Sequence, residues 1–521
     1  MARFEFISSQ KQTKKKRRFI AVSVAVFLLL LLTMAALWAS KSFKDISLEE
    51  CLFYLSMPLQ GTAKDFQEEI FSRVIVRAVL CFLVYLALKL LPFGRALVLH
   101  TKKGRTFQIL PLRLKPRVTR IILILWACII LPYGDSLLHI HRFVFNQFKR
   151  SKLIEERYVD ASDVRVLFPE KKRNLITIYM ESAETTNMDQ ASGGFMGVNY
   201  TPEMTELAKE NVSFSQTDLL EGAAVAPACG WTVAGLVAET GGVPLKLFGY
   251  NDARVDNMGG GFISFLPGVT MLGDLLEREG YRNAFVCGSK MTFGGRDHLY
   301  QQHGNYEIYD YNAAKKFGWI PEDYRNGWGY EDAKLYAYAK NILAELSTGE
   351  QPFHLAMLTV DTHPPGYLCE NCPDTGESNF ERVLRCSSNQ VYRFVEWCME
   401  QDFYDNTTIV IAGDHSSMAW NRLYEDIDEY DKHNGSQTRL VYNCFINAAA
   451  SPVKEKNRLF TTLDLYPSTL AAIGCEIEGN QLGLGVNLFS EKETLSEEMG
   501  YDALFEELGK KSTFYDMKLL R

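Results

Sequence analysis

The chain has 521 residues, 47% of them hydrophobic, and a formal net charge of -7. Its length exceeds one ordinary domain and is enough to bury a full core. The acidic balance, with no Lys/Arg stripe in the globular part, excludes a nucleic-acid binder.

Nearly all the long apolar runs fall in the first 140 residues. A basic cluster, Lys14 to Arg18, precedes an uncharged run from Phe19 to Ala39, which is long enough to cross a bilayer core of about 30 Å as a helix. The run is too long for a signal-peptide core and no clean cleavage site follows, so it reads as an anchor. A second run, Val74 to Phe93, carries Arg77 and Lys89 near its ends, where long side chains snorkel. A third, Ile121 to Leu138, is interrupted by Pro132 and Asp135. Between the second and third lie Arg95, Lys102, Lys103, Arg105, Arg113, Lys115, Arg117 and Arg120, which the positive-inside rule assigns to the cytoplasm. The loop after the first run, with Asp45, Glu49, Glu50, Asp65, Glu68 and Glu69, then faces outward. This reading gives a membrane anchor over residues 1–140 with about three spans, a charged linker over 141–170 and an exported domain over 171–521. His141, Arg142, Lys149 and Arg150 run against the charge rule, but the earlier asymmetry dominates.

Eight of the eleven cysteines follow residue 140. Cys369 and Cys372 stand in "CENC" with Cys386 nearby, a spacing that in an oxidising compartment points to a disulfide. Packed thiols and a metal site are the alternatives, the latter without further ligands close by in sequence.

In the exported part, "NLITIYM" (174–180), "FHLAMLTV" (353–360), "TTIVIAG" (407–413) and "RLVYNCFI" (439–446) have the aliphatic continuity of strands buried on both faces. Segments ending at Gly280, Gly349 and Gly474 read as helices closed by a C-terminal glycine. Alternation of the two predicts an α/β domain with a mainly parallel sheet covered by helices on both faces. Ligands of such sheets bind beyond the carboxyl ends of the strands.

Glu181 directly follows the first of these strands, and Asp414 with His415 follows the third. Carboxylate oxygen and imidazole nitrogen together suit a borderline divalent cation, although an Asp capping a turn beside a packed His is the plain alternative. The second strand ends in "VDTHPP", bringing Asp361 and His363 to the same edge, and "FGGRDH" offers Arg296, whose fork matches phosphate oxygens. In "PACGWTVAG", a small-residue loop leads into a helical stretch from Thr232 to Glu239, with Gly241 and Gly242 after it. A hydroxyl in the first turn of a helix sits where free N–H groups favour an anion, and a metal-coordinated Thr oxygen there can attack phosphorus. The same placement also suits a helix N-cap.

The order of Glu181, Gly230 to Thr232, the Arg of "FGGRD", the His of "VDTHPP" and the Asp414-His415 pair resembles the membrane-anchored phosphoglycerol transferases. These are the phosphoglycerol transferase I and lipoteichoic acid synthase family of the alkaline phosphatase and sulfatase superfamily. The resemblance covers roughly residues 170 to 480 and the multi-span N-terminus. It implies a sulfatase-like fold in which Glu181, Thr232, Asp414 and His415 hold one divalent cation, Mn2+ foremost, with Mg2+ or Zn2+ as alternatives. Thr232 is then the nucleophile, and Arg296 and His363 contact the phosphoglycerol group. The implied reaction moves phosphoglycerol from phosphatidylglycerol to an envelope glycan or lipid-sugar acceptor through a phosphothreonine, releasing diacylglycerol outside the bacterial cytoplasmic membrane. Where lipoteichoic acid synthases have a tryptophan before the substrate arginine, this chain has Gly294 and Gly295, which puts the shape of the glycerol pocket in doubt. No Cys-x-Pro-x-Arg motif of sulfate ester hydrolases is present; Cys372-Pro373-Asp374 does not reproduce it. A phosphoethanolamine transferase of related architecture and a non-catalytic membrane-tethered sensor are the rival readings. His298, His303 and His433 receive no role.

Overall fold

The computed structural model describes residues 3–8, 16–42, 48–56, 68–90, 95–100, 106–110, 116–246, 255–256, 261–262, 264–417, 424 and 439–521. His433, Asp45, Asp65, Lys102, Lys103, Arg105, Arg113 and Lys115 lie outside the described residues. The chain divides into two compact units, one made of 1–46 and 63–141 and the other of 47–62 and 142–521.

The first unit contains α1 (Lys16–Ser42), α3 (Arg77–Leu90) and α4 (Pro116–Leu138). Among the described residues, three stretches are long and apolar enough to cross a membrane: Phe19–Ser42, Glu68–Lys89 and Arg117–Leu138. α4 continues through Pro132 and Asp135, without the interruption expected there. Phe27 and Phe82 pack edge to face at 5.1 Å, and Trp126 Nε1 donates to Thr33 Oγ1 at 3.0 Å. Arg3–Ser8, Arg95–His100 and Thr106–Leu110 pair as a three-stranded antiparallel sheet, which periodicity had not suggested.

The second unit is built on a six-stranded sheet of β1 (Asn174–Met180), β2 (Arg282–Cys287), β3 (Glu307–Tyr309), β4 (Phe353–Leu358), β5 (Thr407–Gly413) and β6 (Asn443–Ile446). Their order across the sheet is β6-β5-β1-β4-β2-β3, all parallel except the edge strand β6. The expected fourth strand is thus shorter than the run 439–446 and antiparallel; Val441, ahead of it, bridges instead to Glu184 and Ala223. Both sheet faces are buried, because successive side chains point to opposite sides. Ile176, Ile178, Leu355, Met357, Ile409 and Ile411 feed one apolar cluster, whereas Leu175, Val410 and Ala412 feed another. α8 (Asp332–Leu346) and α9 (Asn379–Met399) cover the first face, with Leu335, Leu343, Val391 and Phe394 among the buried residues. α5 (Thr232–Gly241), α6 (Leu272–Arg278) and α10 (Leu465–Ala472) cover the other.

Helices form at the segments ending near Gly280, Gly349 and Gly474, and Gly280 and Gly474 adopt the left-handed backbone expected after a helix. α9 was not anticipated. Its start is a capping box in which Ser378 and Glu381 satisfy each other's backbone N–H groups. The register aligns the strand ends: Met180 lies beside Gly413, and Leu358 lies beside both Tyr179 and Cys287. Glu181, Thr359 and Asp414 therefore emerge at one edge of the sheet.

Candidate active site

Glu181, Asp414 and His415 are at most 3% exposed, and their ligand atoms converge. His415 Nε2 stands 3.4 Å from Asp414 Oδ2 and 3.6 Å from Glu181 Oε1. Thr232 Oγ1 completes the set, 3.3 Å from Glu181 Oε2 and 3.4 Å from His415 Nε2. Oxygen and nitrogen ligands held about 2.1 Å from a tetrahedral ion lie about 3.4 Å from one another, so this spacing fits a cation at the centre.

The surroundings fit a cation as well. His415 Nδ1 pairs with the Ser416 carbonyl at 2.8 Å, which makes Nδ1 the donor and leaves the Nε2 lone pair facing the cluster. Asp414 Oδ1 accepts from the Ser182 and His415 N–H groups at 2.9 Å each, while the buried Oδ2 has no hydrogen-bond partner among the described residues. Burial pushes the Asp414 carboxyl up to about 7, with Glu181 adding to the rise and His415 opposing it. Burial works against the charged form of His415, but Asp414 and Glu181 outweigh it and hold the imidazole above its ordinary value.

Thr232 is the first residue of α5, and the N-cap position belongs to Trp231, whose side chain makes no capping bond. The Thr232 hydroxyl is therefore turned to the cluster rather than to its own helix. α5 extends to Gly241 and closes on Gly242 with a φ of 64°.

Arg296 is 3% exposed and starts the helix α7 (Arg296–Gln302). Gly294 and Gly295, with φ of 70° and 75°, make the left-handed turn before it, a backbone that side-chain-bearing residues rarely adopt. Its guanidinium is anchored by the Phe293 carbonyl at 3.0 Å, Ser289 Oγ at 3.0 Å and the Lys290 carbonyl at 2.8 Å. His363 is half-buried, pairs through Nδ1 with the Pro364 carbonyl at 3.0 Å and lies within electrostatic reach of Glu181, His415 and Arg296. Burial pushes its imidazole down. Asp361, from the same motif, does not join the site: its carboxylate accepts from the Asp332 N–H at 3.1 Å, while Asp332 accepts from the N–H groups of Val360 and Asp361.

Several residues at the site were missed in the sequence. Trp328 packs against His363 with the rings tilted at 4.4 Å and meets Phe293 edge to face at 4.7 Å, so an aromatic wall stands beside the arginine loop although Gly294 and Gly295 supply none. Trp231 packs on Phe53 at 5.6 Å. Glu50, 4% exposed on the helix α2 (Leu48–Ser56), acts electrostatically on His415 and Glu181, and burial pushes its carboxyl up to about 8. An Asn-Gly-Trp loop and an acidic inter-span segment carry no periodic signal; the run "EECLFYLS" between the first two apolar stretches was the one available clue.

His303 is a packed histidine, bound to Asp274 Oδ2 at 2.8 Å and the Phe265 carbonyl at 2.6 Å. His298 contacts Gln302 at 3.3 Å. The expected disulfide is not formed: Cys369 Sγ lies 3.7 Å from Cys372 Sγ and 3.6 Å from Cys386 Sγ, against about 2.05 Å for a bond. The three thiols associate with one another, and Gln390 Nε2 approaches Cys386 Sγ at 3.1 Å.

A hydroxyl among two carboxylates and an imidazole, at the carboxyl edge of a parallel sheet, is an arrangement whose donor set suits a divalent cation. The Sulfatase family profile matches residues 173–475, more than half of the chain, and the chain belongs to that family. Phosphoglycerol transferase I of Xanthomonas campestris is 34% identical over 256 residues, 48% of this chain and 34% of the relative. Phosphoglycerol transferase I of Escherichia coli is 32% identical over 275 residues, 51% of this chain and 34% of the relative. The chain thus spans about a third of the length of these curated relatives. The lipoteichoic acid synthase LtaP of Listeria monocytogenes superposes with a TM-score of 0.46 at 19% identity, over 66% of this chain and 82% of that structure.

Proposed function

We propose that the protein is a membrane-anchored phosphotransferase that moves phosphoglycerol from phosphatidylglycerol to a glycan or lipid-sugar acceptor outside the cytoplasmic membrane. The observation that carries this reading is the position of Thr232 Oγ1, at 3.3 Å and 3.4 Å from Glu181 and His415 and free of any capping role. The likeness to phosphoglycerol transferase I supports phosphoglycerol as the transferred group, and the charge asymmetry of the inter-span loops supports a site outside the cytoplasm.

Glu181, Asp414, His415 and Thr232 are the residues that hold a divalent cation, Mn2+ or a similar ion. Such an ion supplies positive charge that favours the ionised Thr232 hydroxyl and draws charge from the phosphate. Thr232 Oγ gives up its proton and attacks the head-group phosphorus; its bond to phosphorus forms as the bond to the diacylglycerol oxygen breaks, and that oxygen takes up the proton. An acceptor hydroxyl then displaces Thr232, losing its proton and transferring the phosphoglycerol. Arg296, held rigid by its three anchors, neutralises phosphate oxygens. His363, oriented by Trp328 and the Pro364 carbonyl, binds the glycerol or carries the proton between hydroxyls. The N-terminus of α5 adds its own attraction for the anionic group.

The test is transfer of label from phosphatidylglycerol by the full chain with Mn2+. Thr232→Ala abolishes transfer and diacylglycerol release, by at least about a thousandfold for loss of the attacking group. Full activity of that variant removes Thr232 as nucleophile, and transfer from phosphatidylethanolamine in place of phosphatidylglycerol overturns the donor.

A further inference from the structure

The loop that carries His363 goes on to Cys369 and Cys372, and α9 carries Cys386; the three sulfurs all lie within 4.8 Å of one another. Cys369 Sγ stands 3.7 Å from Cys372 Sγ and 3.6 Å from Cys386 Sγ. A covalent pair would stand at about 2.05 Å, whereas thiolates held about 2.3 Å from a tetrahedral Zn2+ lie about 3.8 Å apart. The spacing is therefore that of ligands around one ion. Packed thiols also come this close, but the surroundings are not those of packing. Cys229, Cys287, Cys398, Cys444 and Cys475 each belong to an apolar cluster, and Cys369, Cys372 and Cys386 belong to none among the described residues.

Hydrogen-bond donors face these sulfurs instead. The Cys369 N–H points to Cys372 Sγ at 3.3 Å. Gln390, one turn after Cys386 on α9, brings Nε2 to 3.1 Å from Cys386 Sγ and 3.7 Å from Cys369 Sγ. A neutral thiol is a weak acceptor, so these donors gain most from thiolates, the form that a metal ion binds. The Cys372 N–H meets the Cys369 carbonyl at 3.2 Å and closes the turn between them, a Cys-x-x-Cys spacing that suits two ligands of one ion. Cys369 and Cys372 are half-buried, so solvent can supply the fourth ligand.

We propose that Cys369, Cys372 and Cys386 hold one Zn2+, separate from the cation of the Glu181 cluster and completed by water, and that this ion fastens the 361–372 loop to α9. Each neutral thiol gives up its proton to solvent as its sulfur bonds to the ion. Full-length protein in detergent is stripped with chelator under reducing conditions and titrated with Co2+. Thiolate ligation gives a near-ultraviolet sulfur-to-metal charge-transfer band, which the oxygen and nitrogen ligands of the Glu181 cluster do not, and Zn2+ removes the band by binding the same sulfurs more tightly. Cys369→Ser loses the band and weakens Zn2+ binding more than about a hundredfold, beyond the 10–100-fold typical of a residue that only supports a ligand. Asp414→Asn keeps the band. Zn2+ slows amide hydrogen exchange across 361–372 in the unmodified chain and not in Cys369→Ser. Absence of the band from the unmodified chain overturns the site whatever the variants do. So does a disulfide between any two of the three cysteines in protein whose thiols are blocked at lysis. A band without slower loop exchange keeps the ion and overturns its fastening of the loop.

Discussion

Gly235, one turn into α5, stands so close to Asp414 that a Cβ there would lie 2.0 Å from the Asp414 carbonyl oxygen and 2.8 Å from its carbon. The missing side chain lets the helix that carries Thr232 rest on the end of β5, and this contact sets the 3.4 Å approach of Thr232 to His415. Gly235→Ala meets backbone, which cannot rotate aside, so α5 has to back away by about 1 Å. A displacement of that size costs about a hundredfold in rate. Overpacking costs about 1–3 kcal/mol, partly offset by the better helix propensity of Ala. Transfer assays and urea unfolding of the variant check both numbers; a rate within twofold of the unmodified enzyme shows that the contact does not set the position of Thr232.

The buried Asp414 Oδ2, without a hydrogen-bond partner among the described residues, predicts opposite effects of one substitution with and without cation. Binding to the folded state at a hundredfold excess over Kd stabilises by about 2.7 kcal/mol, so Mn2+ added to chelator-treated protein raises the unfolding temperature. Asp414→Asn keeps the shape but removes an acid that burial disfavours, so the metal-free variant unfolds no earlier than the unmodified chain. Its Mn2+-induced rise is lost. Thermal unfolding of both proteins with and without Mn2+ checks the pair of signs, and an undiminished rise in Asp414→Asn places the ion elsewhere.

The convergence of Glu181, Asp414 and His415 was legible in the sequence because Glu181 and Asp414 each follow an aliphatic run directly, with His415 next, and a parallel sheet brings such ends to one edge. Thr232 was legible as a helix start, but the sequence left its N-cap alternative open, since the residue that occupies the N-cap is known only from backbone geometry. β2 escaped notice because it opens on the polar pair Arg282-Asn283 and β3 because it has only three residues, and β6 was overextended because its apolar run continues into residues that make isolated bridges instead. α9 is amphipathic but begins among Cys, Pro, Asp and Gly, where turn chemistry dominated the reading. Glu50 was legible only as a charge that set topology. The packing of its helix includes Phe53 against Trp231, a contact across 178 residues that no local pattern encodes.

His354 ties the pH dependence of folding to the centre of the sheet. It lies on β4, fully buried, with Nε2 2.9 Å from Thr177 Oγ1 and Nδ1 2.8 Å from the Tyr306 hydroxyl. Burial pushes its imidazole down to about 3. The unfolded chain takes up a proton near pH 6.5, whereas the folded chain resists until about 3, so between these values the unfolded state binds more protons. The contribution of His354 to stability is therefore complete above pH 6.5 and is lost as the pH falls toward 3, by up to about 1.4 kcal/mol per unit. His354→Gln lowers stability at neutral pH through imperfect replacement of the two hydrogen bonds, by about 1–3 kcal/mol, but removes this slope. Urea unfolding of both proteins at intervals from pH 7 to about 4 makes the comparison. Converging curves as the solution is acidified identify His354 as a source of the acid sensitivity, and parallel curves rule it out.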